Sequence, residues 1–190
     1  MQLDEDLFIY LNSLHTSWMD PVMFYMSKTY FWLPVHILMF ILIVKNYGKG
    51  SWIIIACVAL SIAFANTLTS EIMKPIFLRL RPSHEIHLQQ LIHSVNGYKG
   101  GKYGFASSHA ANTFALASFL WLLFRTQYKH TGWLFLWAVV VTYTRIYLGV
   151  HYPGDVVVGG LIGLLSGWLG FILVQWILRK RAEKKSALAT

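Results

Sequence analysis

Two stretches of this chain carry no charged residue over a length that matches the thickness of a bilayer. Residues 50–70 lie between Lys49 and Glu71, and residues 156–178 between Asp155 and Arg179. About 20 apolar residues of helix cross the hydrocarbon core. Within that core each backbone N–H and C=O must be paired inside its own segment, so a run of this kind folds as a helix. Three further runs are nearly as apolar. Residues 29–44 contain Pro34 and His36 and reach full length if the Lys28 stem snorkels to the interface. Residues 105–124 are interrupted by His109, and 131–144 extend to about 150 if Arg145 is accepted. The expected fold class is therefore all-α: a polytopic membrane helix bundle with about five transmembrane helices. Composition agrees, since 13% charged residues is half the share of an average soluble domain. A soluble enzyme, a disordered chain and a disulfide-stapled secreted domain are all excluded on this ground. Cys57 is the one cysteine, so no internal disulfide can form.

The first 28 residues read differently. Asp4, Glu5 and Asp6 precede Leu7, Leu11, Leu14 and Trp18 at helical spacing, which predicts an amphipathic helix over 5–18 lying on the membrane surface. Asp20 followed by Pro21 reads as the cap and first position of a new helix. The acidic start lacks the basic region of a signal peptide. The organisation expected is an interfacial helical segment at 1–28, a membrane-embedded domain at 29–178 and a basic tail at 179–190. Net charge is +8. Lys45, Lys49, Arg125, Lys129, Arg179, Lys180, Arg181, Lys184 and Lys185 all fall on one side of the alternating spans. The positive-inside rule makes that side cytoplasmic, together with the C-terminus, and turns the loops 71–105 and 151–155 outward. The positive charge thus reflects topology and does not call for nucleic acid. Gly159, Gly163 and Gly167 form two GxxxG steps in the last span and predict close helix packing. The glycine-bearing loop 82–105 is the one sizeable polar stretch and a candidate binding rim.

Polar residues at span ends are functional candidates, because charge there is costly. Lys74 and Arg81 follow the second span and, seven apart, would share a helix face, with Arg79 pointing elsewhere. Ser107, Ser108 and His109 open the third span, Arg145 lies in the outer part of the fourth, and His151 and Asp155 bracket the turn into the fifth. Three cations and a helix start suit a phosphoryl dianion. The spacing of His151 and Asp155 lets the carboxylate fix one imidazole nitrogen and leave the other as a nucleophile. His109 is placed to protonate a leaving oxygen. These roles add up to phosphoryl transfer through a phosphohistidine, with the cations neutralising developing charge and no metal required.

These residues resemble the type-2 phosphatidic acid phosphatase superfamily of integral membrane phosphatases. Its Lys-x6-Arg-Pro motif is matched by Lys74, Arg81 and Pro82. Its Pro-Ser-Gly-His motif appears as Ala106-Ser107-Ser108-His109, and its Ser-Arg-x5-His-x3-Asp motif as Thr144, Arg145, His151 and Asp155. The resemblance covers roughly 50–175. It implies catalytic roles for His151 as nucleophile, Asp155 as its orienting partner and His109 as general acid, with phosphate bound by Lys74, Arg81, Ser107, Arg145 and the Ser108 backbone. It also implies six helical segments and metal-independent chemistry. Ala106, Ser108 and Thr144 depart from the family's usual Pro, Gly and Ser, and none removes a reactive group.

With nearly all residues spent on membrane helices, a lipid phosphate or diphosphate entering sideways is the expected substrate. Compact bacterial members of the family act on undecaprenyl diphosphate, phosphatidylglycerophosphate or lipid A, which implies a bacterial inner-membrane location with the site facing the periplasm. Membrane lipids are the remaining expected partners. Neither a cofactor nor an obligate protein partner is called for. The competing readings are an anion or lipid transporter using the same cations, and a metal site at His109, His151 and Asp155.

Overall fold

The computed structural model describes residues 2–187, and they are helical almost throughout. Helix α1 spans Gln2–Ser13 and α2 spans Met19–Met26. A short 3-10 turn, Thr29–Trp32, leads into α3 at Leu33–Tyr47. Gly48, in the left-handed region at φ +48°, ends α3 and reverses the chain through Gly48–Gly50 into α4, Ser51–Asn66. Helix α4 continues as a π-helical stretch, Thr67–Met73, into the short α5, Lys74–Phe77. Pro75 has no N–H to return to the preceding turn, which accounts for the relaxed hydrogen-bond register there. After the loop come α6 (Ser108–Phe124), α7 (Trp133–Tyr147) and α8 (Pro153–Ala187).

Two stretches are long and apolar enough to cross a membrane, 29–77 and the 35-residue α8, and α6 and α7 are shorter apolar helices. At 1.5 Å per residue α8 extends about 52 Å, well beyond a hydrocarbon core of about 30 Å. It carries most of the expected basic tail as helix, while 188–190 and Met1 lie outside the described residues. The helices are apolar outside as well as inside. Ile54, Phe119, Leu120, Phe124 and Val174 are buried in the largest cluster, yet Leu161, Leu165, Trp168 and Trp176 of α8 are exposed on the opposite side. An all-round apolar helix of this kind is at home in lipid.

The N-terminal segment differs from its sequence reading in two respects. Helix α1 ends at Ser13, so Leu14 and Trp18 fall outside it, and Leu7, Leu14 and Trp18 are exposed. The face that docks on the bundle is Asp4, Phe8 and Asn12, four apart and therefore in one row. Phe8 meets Tyr152 edge-on at 5.4 Å. The Asn12 amide donates to the carbonyls of His93, Ile146 and Tyr147 and accepts from the His93 N–H at 2.7 Å. In addition, Asp20 does not cap α2, which begins at Met19. Its carboxylate accepts from the Tyr147 hydroxyl at 2.7 Å and bonds His93 Nε2 at 2.8 Å. A carboxylate with two such partners outside the helix is worth more than a solvent-exposed cap.

The glycine ladder of α8 packs as its spacing predicts. A Cβ on Gly159 would strike the Ser107 carbonyl, one on Gly163 the Ala111 carbonyl, and one on Gly167 the Ala115 carbonyl and the Ser118 hydroxyl. Each glycine of α8 therefore seats a carbonyl of α6 one turn further on. Gly163→Leu has no flexible neighbour to displace and should lower the Tm in detergent by about 2–12 °C, corresponding to about 1–3 kcal/mol of overpacking. Gly50→Ala, with nothing within 4 Å, should leave it nearly unchanged. Differential scanning fluorimetry of the two variants checks this.

Candidate active site

The site forms where α6 and α8 begin side by side. Ser107 adopts extended backbone and caps α6, its hydroxyl accepting from the Ala110 N–H at 3.4 Å. Its own N–H donates to the carbonyl of Asp155 at 2.9 Å. One backbone bond thus joins the Ser-Ser-His start of α6 to the first turn of α8.

His151 and Asp155 are both fully buried. Asp155 Oδ2 lies 3.3 Å from His151 Nδ1 and accepts the Tyr152 N–H at 3.1 Å. An acceptor at that position puts the ring proton on Nδ1 and leaves the lone pair on Nε2. His151 Nε2 is buried and has no hydrogen-bond partner. Burial, then the charges of Arg81, Arg145 and Lys74, hold the imidazole well below its ordinary pKa of 6.5. The ring is consequently neutral at physiological pH, the form a nucleophile requires. Gly104 closes over this pair: a Cβ there would come within 2.9 Å of Asp155 Oδ2 and 3.2 Å of Arg81 Cγ.

Lys74, Arg81 and Arg145 gather around the imidazole. Lys74 Nζ is 3.3 Å from the Ser108 hydroxyl and 3.4 Å from that of Ser70. The Ser108 side chain therefore faces the cations. Arg81 Nε donates to the Tyr103 carbonyl at 3.0 Å, and burial and the neighbouring Arg145 charge lower the Arg81 pKa. Arg145 is buried in α7, with Nη2 donating to the Tyr98 hydroxyl at 3.2 Å and its buried Nε unpartnered. Burial raises the Tyr98 pKa, but the charges of Arg145, Lys28 and Arg81 outweigh that and lower it. Thr144 turns away from this cluster and donates to the Val141 carbonyl at 2.6 Å.

The sequence reading placed Lys74 and Arg81 on one helix face. They meet by a different route. Helix α5 stops at Phe77, Leu78 takes a left-handed conformation at φ +47°, and Arg81 is extended. Leu80 pairs with Tyr103 in an isolated bridge, and Arg81 N–H donates to the Lys102 carbonyl. This turn also corrects the reading of Arg79. Its Nη1 donates to Asp155 Oδ1 at 2.9 Å and its Nη2 to Asp4 Oδ2 at 2.6 Å, while Asp4 Oδ1 accepts the Gly154 N–H at 2.7 Å. The guanidinium also lies over the Tyr152 ring at 4.1 Å. Asp4, Arg79, Tyr98 and Gly104 are the site residues that sequence reasoning missed. For Asp4 the available signal was its four-residue spacing from Phe8 and Asn12.

A neutral imidazole with a free nitrogen, flanked by three cations and a second histidine at a helix start, can carry a phosphoryl group from one oxygen to another. The metal reading finds no support in geometry. Among the described residues, the set of three imidazole and carboxylate groups whose ligand atoms all lie within 4.8 Å of one another is His15, Asp20 and His93; His109, His151 and Asp155 do not form such a set.

A buried His-Asp pair beneath fixed cations at one end of an apolar helix bundle defines a membrane-embedded phosphoryl-transfer protein. The model of the PAP2 superfamily matches residues 51–179, and the chain belongs to that family. It is 38% identical over 175 residues to a lipid A 4'-phosphatase of Bacteroides thetaiotaomicron, covering 91% of this chain and 77% of the relative. A lipid A 4'-phosphatase of Porphyromonas gingivalis is 36% identical, with 88% and 71% covered. The crystal structure of Aquifex aeolicus LpxE superposes with a TM-score of 0.65 at 25% identity, covering 88% of this chain and 94% of that one.

The bonds of Arg79 predict a positioning role for Asp4. Asp4→Asn should lower kcat by about 10- to 100-fold, the range seen for outer partners that orient a metal-ligating imidazole. KM should change little, because Asp4 bonds Arg79 and the Gly154 N–H, not the three cations. Steady-state kinetics of phosphate release separates the two parameters.

Proposed function

We propose that this protein is a metal-independent lipid phosphatase that removes a phosphate monoester from lipid A at the outer face of the inner membrane. The observation that carries this reading is the buried His151–Asp155 pair, with Nε2 unpartnered beneath Arg81, Arg145 and Lys74. The identity of 38% with a lipid A 4'-phosphatase supports the choice of lipid A over undecaprenyl diphosphate or phosphatidylglycerophosphate.

The residues divide the reaction into two displacements. Lys74, Arg81 and Arg145 hold the phosphate oxygens, with Ser107, the Ser108 hydroxyl and the start of α6 completing the cradle. His151 Nε2 attacks phosphorus. The P–N bond forms as the P–O bond to the lipid breaks, and His109, carrying a proton taken up with the phosphate dianion, gives it to the departing oxygen. His109 then takes a proton from water, whose oxygen attacks the phosphohistidine and releases inorganic phosphate. The Nδ1 proton stays shared with Asp155, which stabilises the charge that the ring acquires. The cations and the helix start are preorganised for the oxygens of the transition state, so no metal is called for.

Topology supports an outward-facing site. The basic residues Lys45, Lys49, Arg125, Lys129 and Arg179 lie at the ends of the helices opposite His109 and His151, which the positive-inside rule makes cytoplasmic. Five spans with α1 as an interfacial helix complete the arrangement; its Leu3 and Leu7 are exposed.

Purified protein in detergent with EDTA should release phosphate from lipid A, and His151→Ala should abolish release while remaining folded. Preferred release from undecaprenyl diphosphate would overturn the substrate assignment. Loss of activity in EDTA, or turnover by His151→Ala, would overturn the mechanism.

A further inference from the structure

A second cluster of ligand-type side chains lies where the N-terminal segment meets the 82–105 loop. His15 sits in the turn between α1 and α2, Asp20 in the first turn of α2, and His93 in the loop. One nitrogen of each imidazole and one oxygen of the carboxylate all lie within 4.8 Å of one another. The His15 and His93 rings stack in parallel, with 3.7 Å between centroids and 6° between planes. Asp20 and His93 are held from behind. Asp20 Oδ1 accepts from the Tyr147 hydroxyl at 2.7 Å and bonds His93 Nε2 at 2.8 Å, which leaves Oδ2 for a further ligand. The His93 N–H donates to Asn12 Oδ1 at 2.7 Å. The Thr16 N–H, next to His15, donates to the Tyr147 hydroxyl at 3.1 Å. Three donors from three segments are thus presented on one frame. The bond between His93 and Asp20 accounts for two of them. It leaves the exposed His15, whose ring is brought alongside and makes no hydrogen bond among the described residues.

We propose that His15, Asp20 and His93 form a zinc site that fastens the 82–105 loop to the N-terminal segment. Two imidazoles and a carboxylate are a ligand set of four-coordinate Zn²⁺, with water in the fourth position. Calcium and magnesium take oxygen ligands, and two of these three donors are nitrogen. Zinc bonds of about 2.0–2.1 Å set tetrahedral donors about 3.4 Å apart, so the set must close by about 1 Å. His15 can do this by turning its side chain, because it is exposed and gives up no hydrogen bond. The Tyr147 hydroxyl becomes the outer partner that orients the ligating carboxylate. The fastened loop carries Tyr98, which bonds Arg145, and Tyr103, whose carbonyl accepts from Arg81. Zinc therefore stabilises the outer wall of the catalytic site without touching a reacting group. The proposal is independent of the phosphatase reading, whose chemistry proceeds in EDTA.

The test is zinc binding by the purified full chain in detergent, with any histidine tag removed and the EDTA dialysed away. Calorimetric titration with zinc chloride should give one zinc per chain. Zinc at a hundredfold its Kd should raise the Tm by about 5–10 °C over the value in EDTA. His15→Ala should match the wild-type Tm in EDTA, since its ring makes no hydrogen bond among the described residues. It should bind zinc at least tenfold more weakly and lose the zinc-dependent rise. Asp20→Asn, which keeps an oxygen for the Tyr147 hydroxyl, should weaken binding at least tenfold as well. His130→Ala, at an exposed histidine in another loop, should bind zinc as the wild type does. Absence of one-to-one binding by the wild type would overturn the proposal. Equal affinity in the wild type and His15→Ala would also overturn it.

Discussion

The close approach of α6 and α8 is the constraint on which the site depends. Small residues let the two backbones nearly touch: Gly159, Gly163 and Gly167 face the carbonyls of Ser107, Ala111 and Ala115. In lipid there is no hydrophobic force between helices, so packing of this kind and polar bonds must hold them. The ladder ends at the bond from the Ser107 N–H to the Asp155 carbonyl, which sets the start of one helix against the first turn of the other. His109 follows Ser107 by two residues and His151 precedes Asp155 by four, so this contact fixes His109, His151 and Asp155 together. A wider interface would separate them.

Charge is the second constraint. Lys74, Arg81 and Arg145 are crowded around a neutral imidazole, an arrangement that is unfavourable until an anion enters. The fold compensates with bonds from behind the site. Tyr98 accepts from Arg145, the Tyr103 carbonyl accepts from Arg81, and Arg79 bridges Asp155 to Asp4. That last bridge ties α1 to the site. Through Arg79 its Asp4–Phe8–Asn12 row ties the N-terminal segment to Asp155, and directly to Tyr152 and to the loop at His93.

The features that follow from local sequence were legible from it. Charge-free runs gave the helices, the glycine spacing gave the α6–α8 contact, and His151, Asp155, Ser107 and Arg145 were placed by their motifs. What was not legible depends on backbone turns and distant partners. Leu78 adopts a left-handed conformation that no propensity rule assigns to leucine, and Arg79, the next residue, bonds Asp155. The leucine stripe of α1 is the stronger periodic signal, yet the docking row contains an aspartate, a phenylalanine and an asparagine. Hydrophobic periodicity cannot report a face that packs through hydrogen bonds. Asp20 reads as a cap on local grounds and is drawn away by Tyr147 and His93, 127 and 73 residues distant in sequence.

The central claim is that phosphate passes through a covalent bond to His151. Rapid quenching of the wild type during turnover of radiolabelled lipid A in EDTA tests it directly. The account predicts a label on the protein that is lost in acid, survives alkali, maps to His151 and is absent from His151→Ala. A label that survives acid, one that persists in His151→Ala, or turnover without any labelled protein would contradict it.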